Sequence, residues 1–468
     1  MFNTYLATTG TRLTRRMVLG TALPLASAAA ACTPRRSGEQ PAAPGQITQP
    51  VTIVFQHRWE GVREPLIQQL VQDFAAIQPK ITIDSQLVFC SGGEGCFDGM
   101  PYDKILAQIA AYQPPDVVMV GSEIASDWAH RGALTVLDDL LKRDRLVPDQ
   151  VFYPALAQMA RFRGQYIGLP QLTAGDSPYL FMNHETFRTA GLDPNRPPQS
   201  WDDLISYSIR LTDRQGDTFT RVGLALPGHS FQAYLTLNDG KVLSEDATKV
   251  LFDSPQGQET LQWMVESTNR VYGSRANLNS FLSSVAQPGP AGGRVPLYQG
   301  KVGMWFNGVW HFFEIKGEAA QYAPNFQYSV SLIVPNTKNP QAKPLSLAEK
   351  VWLYAIPRGS KKIDPAWEWL KYITAGDGNK KFVLAQGRPS PAVKNNDDPE
   401  FARANPHWET VKRALSIMTP LPQTPAWPRI IPVLNRMVNQ ALAGEAAPRE
   451  ALKAAAEEAQ RLLDEVRR

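Results

Sequence analysis

Two chemically different repeats alternate through residues 51–120, and that alternation constrains the fold more than any other feature. VTIVF (51–55) is a continuous apolar run of strand length. In LIQQLVQDFAAIQ, which follows, Leu66, Leu70, Phe74 and Ile77 recur at helical spacing, with Ile67 and Val71 beside them. Ile81 to Val88 reads as a second strand. Tyr102 to Tyr112 reads as a second amphipathic helix carrying Ile105 and Ile109, and DVVMV (116–120) as a third strand. Strands separated by helices need crossovers, so the segment predicts βαβ units and a mainly parallel sheet. Ligands of such sheets sit beyond the carboxyl ends of the strands. The loops after Phe55 and Val120 are therefore the first candidates for a site.

The alternation continues downstream. Leu180 to Met182, Gly300 to Val309, Ser329 to Val334 and Val351 to Ile356 each contain a strand. Trp201 to Asp213 is helical, with Ser200 placed to accept from its first free amides. Ile363 to Thr374 and Pro448 to Arg467 are further helices, the last with proline in its first turn. The length accommodates two α/β lobes.

The N-terminus has a different composition. Arg15 and Arg16 precede an apolar and small-residue run from Met17 to Ala31, with no acid before Cys32. This is the layout of an export signal over residues 1–32, and Thr-Arg-Arg-Met-Val-Leu resembles a twin-arginine signal. The run is too short and alanine-rich for a good membrane span. Cys32 resembles the lipidated cysteine of a bacterial lipobox, with Ala29 where leucine is usual; ordinary cleavage after Ala29 to Ala31 is the alternative. Residues 33–50, charged and proline-rich, read as a flexible tether.

Export bears on the other two cysteines of the chain, Cys90 and Cys96 in FCSGGEGCF. In an oxidising compartment they form an even pair suited to a disulfide. No nearby His or Cys completes a zinc set, and the spacing is too wide for CxxC redox chemistry.

Other chemistries find little support. Residues 1–32 hold three arginines and no acid, so taking them from a formal charge of +4 leaves the body near +1. That gives no nucleic-acid footprint. GHSFQ (228–232) lacks the second glycine of a nucleophile elbow, which that strained turn needs. The six histidines show no HxH or HExxH spacing. Asp138-Asp139 and Asp202-Asp203 are adjacent in sequence, and helical neighbours do not face each other as paired catalytic carboxylates must.

Four segments carry a resemblance to a known family. They are PPDVVMVGSEIASDWAHRGALTVLDDL (114–140), GQYIGLPQLTAGDSPYLFMNHETFRTAGLDPNRPPQSWDDL (164–204), YQGKVGMWFNGVW (298–310) and GRPSPAVKN (387–395). Together they resemble the extracellular solute-binding proteins of ATP-driven (ABC) importers, in the sugar-binding group that includes maltose-binding protein. The resemblance implies an α/β, two-lobed periplasmic-binding-protein type II fold with discontinuous lobes joined by a hinge. Lobe 1 is expected from 51–172 with 335–376, and lobe 2 from 173–334 with 377–468. It also implies a monomeric receptor that passes a mono- or oligosaccharide to membrane permease subunits, with no enzymatic step, cofactor, metal or nucleic acid. The membrane would be reached only through the lipid, at the outer face of the cytoplasmic membrane or in the periplasm. A polyamine, peptide or phosphorylated polyol as solute, or a sensor role, are the alternatives.

Sugars offer C–H faces edged with hydroxyls, so a sugar cleft mixes aromatic planes with carboxylates, amides and guanidinium groups. On the family pattern Arg58 and Trp59 fall in the first lobe's ligand loop, Glu123 at its carboxylate position and Asp176 near its acidic crossover residue. His229 lies near another ligand loop. Trp305, Asn307 and Trp310 lie on and after the third-segment strand, with Trp310 at the cleft aromatic. Trp352 follows a loop where Glu349-Lys350-Val351 replaces the usual paired glycines, and Trp427 falls at a late aromatic. Trp128 is expected in the core.

Overall fold

The computed structural model describes residues 45, 47–90, 96–97, 99–172, 179–216, 218–285 and 295–467. The export signal 1–32 with Cys32, most of the tether, and Asp176 lie outside the described residues.

The predicted βαβ unit forms one edge of a five-stranded sheet. Its order is Ile81–Leu87, Val51–His57, Val117–Gly121, Trp352–Ala355, Leu169–Pro170. The first three strands run parallel, and Trp352–Ala355 is antiparallel to both neighbours. The helix Glu64–Ile77 buries Ile67, Leu70 and Phe74 against this sheet. Its end turns outward, leaving Ile77 exposed. Asp116, the acid of the Pro-Asp motif, is buried before its strand. It accepts from the Val54 amide at 2.9 Å and from Lys362 Nζ at 3.1 Å, tying two elements far apart in sequence.

A second five-stranded sheet has the order Asp213–Gln215, Thr218–Leu224, Val302–Asn307, Tyr179–Asn183, Tyr328–Leu332. Only Thr218–Leu224 and Val302–Asn307 pair in parallel; the remaining pairs are antiparallel. Local chemistry sets its helices. Ser200 Oγ accepts from the Asp203 amide at 3.0 Å and starts Trp201–Leu211. Asn183 Oδ1 accepts from the Thr186 amide at 3.1 Å and starts His184–Thr189. That helix ends at Gly191, whose φ of +66° is the left-handed backbone a C-terminal cap requires.

Two hydrophobic clusters fill one compact unit, Gly45–Arg468; the first holds the first sheet's core and also Tyr179 and Phe181 of the second sheet, and the second holds the opposite face of that strand, Leu180 and Met182. The first cluster runs on past Thr374 through Phe382, Phe401, Trp408 and Leu415; the second takes over from Leu421 to Leu463. The short strand Met418–Pro420 lies between these two groups of residues in the chain. That strand pairs with Ser346–Ala348, where Leu347 belongs to one cluster and Ala348 to the other. Two of the passages between clusters thus lie side by side.

Cys90 and Cys96 are joined in a disulfide, with Cα atoms 6.0 Å apart. Among the described residues, no helix is long and apolar enough to cross a membrane.

Candidate solute cleft

Four of the parallel strands, two from each sheet, deliver their C-terminal loops to one region. His57 leads to Arg58 and Trp59, Gly121 to Glu123, Leu224 to residues 228–230, and Asn307 to Trp310. This is where a parallel sheet leaves backbone groups and helix N-termini available to a ligand.

Two cavities occupy the region. One, of about 240 Å³, is lined by His229, Ser230, Phe306, Asn307, Trp310 and Glu349. The other, of about 260 Å³, is lined by residues including Glu123, Gln232, Lys350, Trp427 and Asn435, and it shares Ser230 and Glu349 with the first. Either alone is small for an organic ligand, but the two together reach the usual range of about 300–1,000 Å³.

The shared wall joins the two sheets. Ser230 begins the helix Phe231–Thr236 of the second sheet, accepting from the Ala233 amide at 3.1 Å. The same hydroxyl donates to Glu349 Oε1, on the loop leading into Trp352–Ala355 of the first sheet. Glu123 is buried in the first turn of Ser122–His130, where the helix dipole favours a carboxylate.

The expected site residues separate into groups. His229, Asn307 and Trp310 meet in the first cavity, and Glu123 and Trp427 in the second. Trp310 is half-buried at the start of its helix. Trp427 is buried, its Nε1 donating to the Pro422 carbonyl at 2.8 Å, so it presents one part of its ring as wall. Trp59 is a core residue: it is 6% exposed, donates from Nε1 to Tyr354 Oη at 2.8 Å and lies 5.2 Å from the Phe382 ring. Trp352 is buried, with Arg58 5.3 Å and Lys350 4.9 Å from its ring centroid, within cation–π range. Trp305 packs between both hydrophobic clusters. Trp128 is in the core against Tyr102.

Sequence reasoning missed Glu349, Lys350, Gln232 and Asn435 as wall residues. Glu349-Lys350 stood out as a charged pair between apolar runs, and that was the available signal. It also missed a group of arginines. Arg63 Nε donates to Gln386 Oε1 at 3.1 Å, and Arg63 Nη2 lies 3.8 Å from the Glu314 carboxylate. Arg388, in the GRPSPAVKN loop, is 3% exposed. Burial first, then the charges of Arg63 and Arg58, push its guanidinium down to about 9, with Glu314 opposing. Among the described residues, no cluster of His, Cys, Asp and Glu is arranged to hold a metal ion.

The family model for bacterial extracellular solute-binding proteins matches residues 61–380. This chain belongs to that family. Solved structures agree with the fold of this solute-binding chain. CpMnBP1 with mannotriose bound superposes with a TM-score of 0.72 at 23% identity, covering 87% of this chain and 100% of that one. An ABC transporter solute-binding protein from Thermotoga lettingae, bound with α-D-tagatose, gives 0.70 at 24% identity over 89% and 100%. The GacH receptor of Streptomyces glaucescens gives 0.68 at 20% over 88% and 98%. The architecture is the two-lobed type II periplasmic-binding-protein fold. Among curated proteins, the sn-glycerol-3-phosphate-binding periplasmic protein UgpB of Escherichia coli (strain K12) is 27% identical over 164 residues, 34% of this chain. The matched stretch spans only 35% of that relative's own length.

Proposed function

We propose that this chain is the exported solute-binding subunit of an ABC importer and that it captures a carbohydrate between its two sheets. The observation that carries the reading is the adjacent pair of cavities, which share Ser230 and Glu349. Trp310 and Trp427 supply aromatic surface there, while Asn307, His229, Ser230, Glu123, Glu349 and Asn435 supply hydrogen-bonding edges. That mixture suits a ring with apolar faces and hydroxyl rims. The names of the structural neighbours, which speak of mannotriose, tagatose and acarbose, support it.

In this reading the lobes are 51–172 with 351–415 and 179–334 with 421–467, and the paired passages at 346–348 and 418–420 act as a hinge. Closure follows from a ligand that touches both lobes, and only its preference for the closed state can drive it. Cys32 carries the lipid, 33–50 is the tether, and the monomer delivers its solute to permease subunits without breaking a bond. Labelling of Cys32 by a fatty-acid probe, and its loss in Cys32→Ser, tests the anchor.

The test of the function is a thermal-shift and calorimetric screen of the full chain against mono-, di- and oligosaccharides. A ligand at a hundred times its dissociation constant adds about 2.7 kcal/mol to the native state, a clear shift in melting temperature. One class of saccharide producing that shift is the expected result. Silence from every saccharide, alongside a shift with a polyamine or peptide, overturns it. The UgpB match motivates a second reading, in which the solute is a phosphorylated polyol.

A further inference from the structure

Arg388 is an unusual buried group, two residues from the Gln386 that Arg63 binds. Its side chain is 3% exposed, its Nε is fully enclosed with no hydrogen-bond partner, and among the described residues the guanidinium makes no hydrogen bond or ion pair. A buried cation is normally paired, because taking it from water costs several kcal/mol unless an anion or acceptors replace the solvent. Two more guanidinium groups, Arg63 and Arg58, lie close enough to oppose its charge. One carboxylate, Glu314, acts in its favour, but Glu314 is engaged elsewhere. It accepts from His311 Nδ1 at 3.0 Å and sits 3.8 Å from Arg63 Nη2.

The location adds a second observation. Arg58 and Arg63 come from the loop after Val51–His57, Glu314 lies one helical turn beyond Trp310, and Arg388 follows the positive-φ Gly387. Arg58 also lies against Trp352, next to Lys350 of the second cavity wall. Arg388 thus neighbours Arg63 through Gln386, Arg63 reaches Glu314 on the helix that Trp310 begins, and Arg58 shares the Trp352 ring with the cavity residue Lys350.

We infer that Arg388, flanked by Arg63 and Arg58, forms a subsite for an anionic group of the bound solute, a carboxylate or a phosphate on a polyhydroxylated ligand. This rests on the cleft being the solute site and narrows the class of solute it takes. Guanidinium groups match the planar oxygen pairs of carboxylate and phosphate, and they carry smaller hydration shells than ammonium, so they suit a desolvated site. The ligand-free protein then holds an uncompensated positive charge, which the solute's anionic group neutralises on binding. The lowered guanidinium value of Arg388 fits that uncompensated state.

The experiment is isothermal calorimetry of the full chain with matched ligand sets: a neutral saccharide, the uronate of the same saccharide, its sugar phosphate, glycerol phosphate, and inorganic phosphate alone. The expected result is at least about tenfold tighter binding of one anionic member than of its neutral parent. The uronate and phosphate arms tell the two sources of anion apart. Arg388→Gln should draw the affinities of anion and neutral parent together, and Arg388→Lys should restore part of the difference. The ligand-free Arg388→Gln protein should melt higher than the parent, because an unpaired buried charge has gone; a merely structural arginine would give a lower melting point. Equal binding of neutral and anionic sugars overturns the subsite and leaves the carbohydrate reading standing. Binding of glycerol phosphate with silence from all saccharides keeps the subsite and overturns the carbohydrate reading. Silence from every anion, or a lower melting point for Arg388→Gln with the preference intact, overturns the subsite.

Discussion

The Ser230 hydroxyl donates to the Glu349 carboxylate, joining the helix cap of one sheet to the connecting loop of the other across the shared wall of both cavities. The two partners do different work. Ser230 also caps Phe231–Thr236, so Ser230→Ala should lower stability by about 1 kcal/mol, measured by chemical denaturation. Glu349→Gln leaves that cap in place and should chiefly weaken solute binding, by about tenfold. A Glu349→Gln protein that binds its solute normally would remove Glu349 from the site.

Two tryptophans that look alike in sequence should respond in opposite ways. Trp310→Ala, at a half-buried position in the cavity wall, should weaken solute binding by at least about tenfold and cost about 1 kcal/mol or less in stability. Trp59→Ala removes a core ring and its bond to Tyr354, so it should cost about 3–5 kcal/mol. Calorimetry paired with denaturation for each variant separates the roles. Equal stability losses in both would contradict the assignment.

The buried ring of His57 predicts an acid-sensitive fold. Its Nδ1 accepts from the Trp59 amide at 3.1 Å and its Nε2 lies 2.9 Å from Ser85 Oγ, so the neutral ring is the one that fits. Burial pushes its value down to about 4. The folded state therefore binds the proton less readily than the unfolded chain. The contribution is fully present above the ordinary value near 6.5 and is lost as pH falls toward 4, amounting to about 3 kcal/mol. His57→Gln should flatten the fall in melting temperature across that window; an unaltered slope would assign the acid sensitivity to other groups.

The Cys90–Cys96 disulfide closes a short loop. Its removal in a Cys90→Ser, Cys96→Ser double variant should cost about 2 kcal/mol on the chain-entropy model. Reduction of the parent protein should give the same change in denaturation midpoint. A loss much above that would show that the bridge also holds neighbouring packing together.

Some of this architecture was legible because it is local. The helix Ile363–Thr374 was placed correctly from its own pattern, and the start of Trp201–Leu211 follows from a serine three residues before an amide it can bind. Which hydrophobic cluster each C-terminal helix joins was not legible. Phe382 and Ile430 are both buried apolar residues on helices, and neither carries a mark of the sheet it packs against. The arginine group was missed for the same reason: Arg63 and the Gln386 it binds, two residues before Arg388, are 323 residues apart in the chain.

The order of strands and helices, the caps and the family motifs were set by the sequence itself, because each depends on side chains within a few residues of the backbone they act on. Which tryptophan lines a cavity and which joins the core was decided by tertiary structure. Trp59 and Trp310 both follow a strand that ends at the cleft. Trp59 is held in the core, where Tyr354, 295 residues away, accepts a hydrogen bond from its indole N–H. Trp352 is flanked by Arg58 and Lys350, whereas Trp310 keeps part of its ring in a cavity wall. An indole buries its surface against whatever the rest of the fold brings to it, and that partner is absent from its sequence neighbourhood.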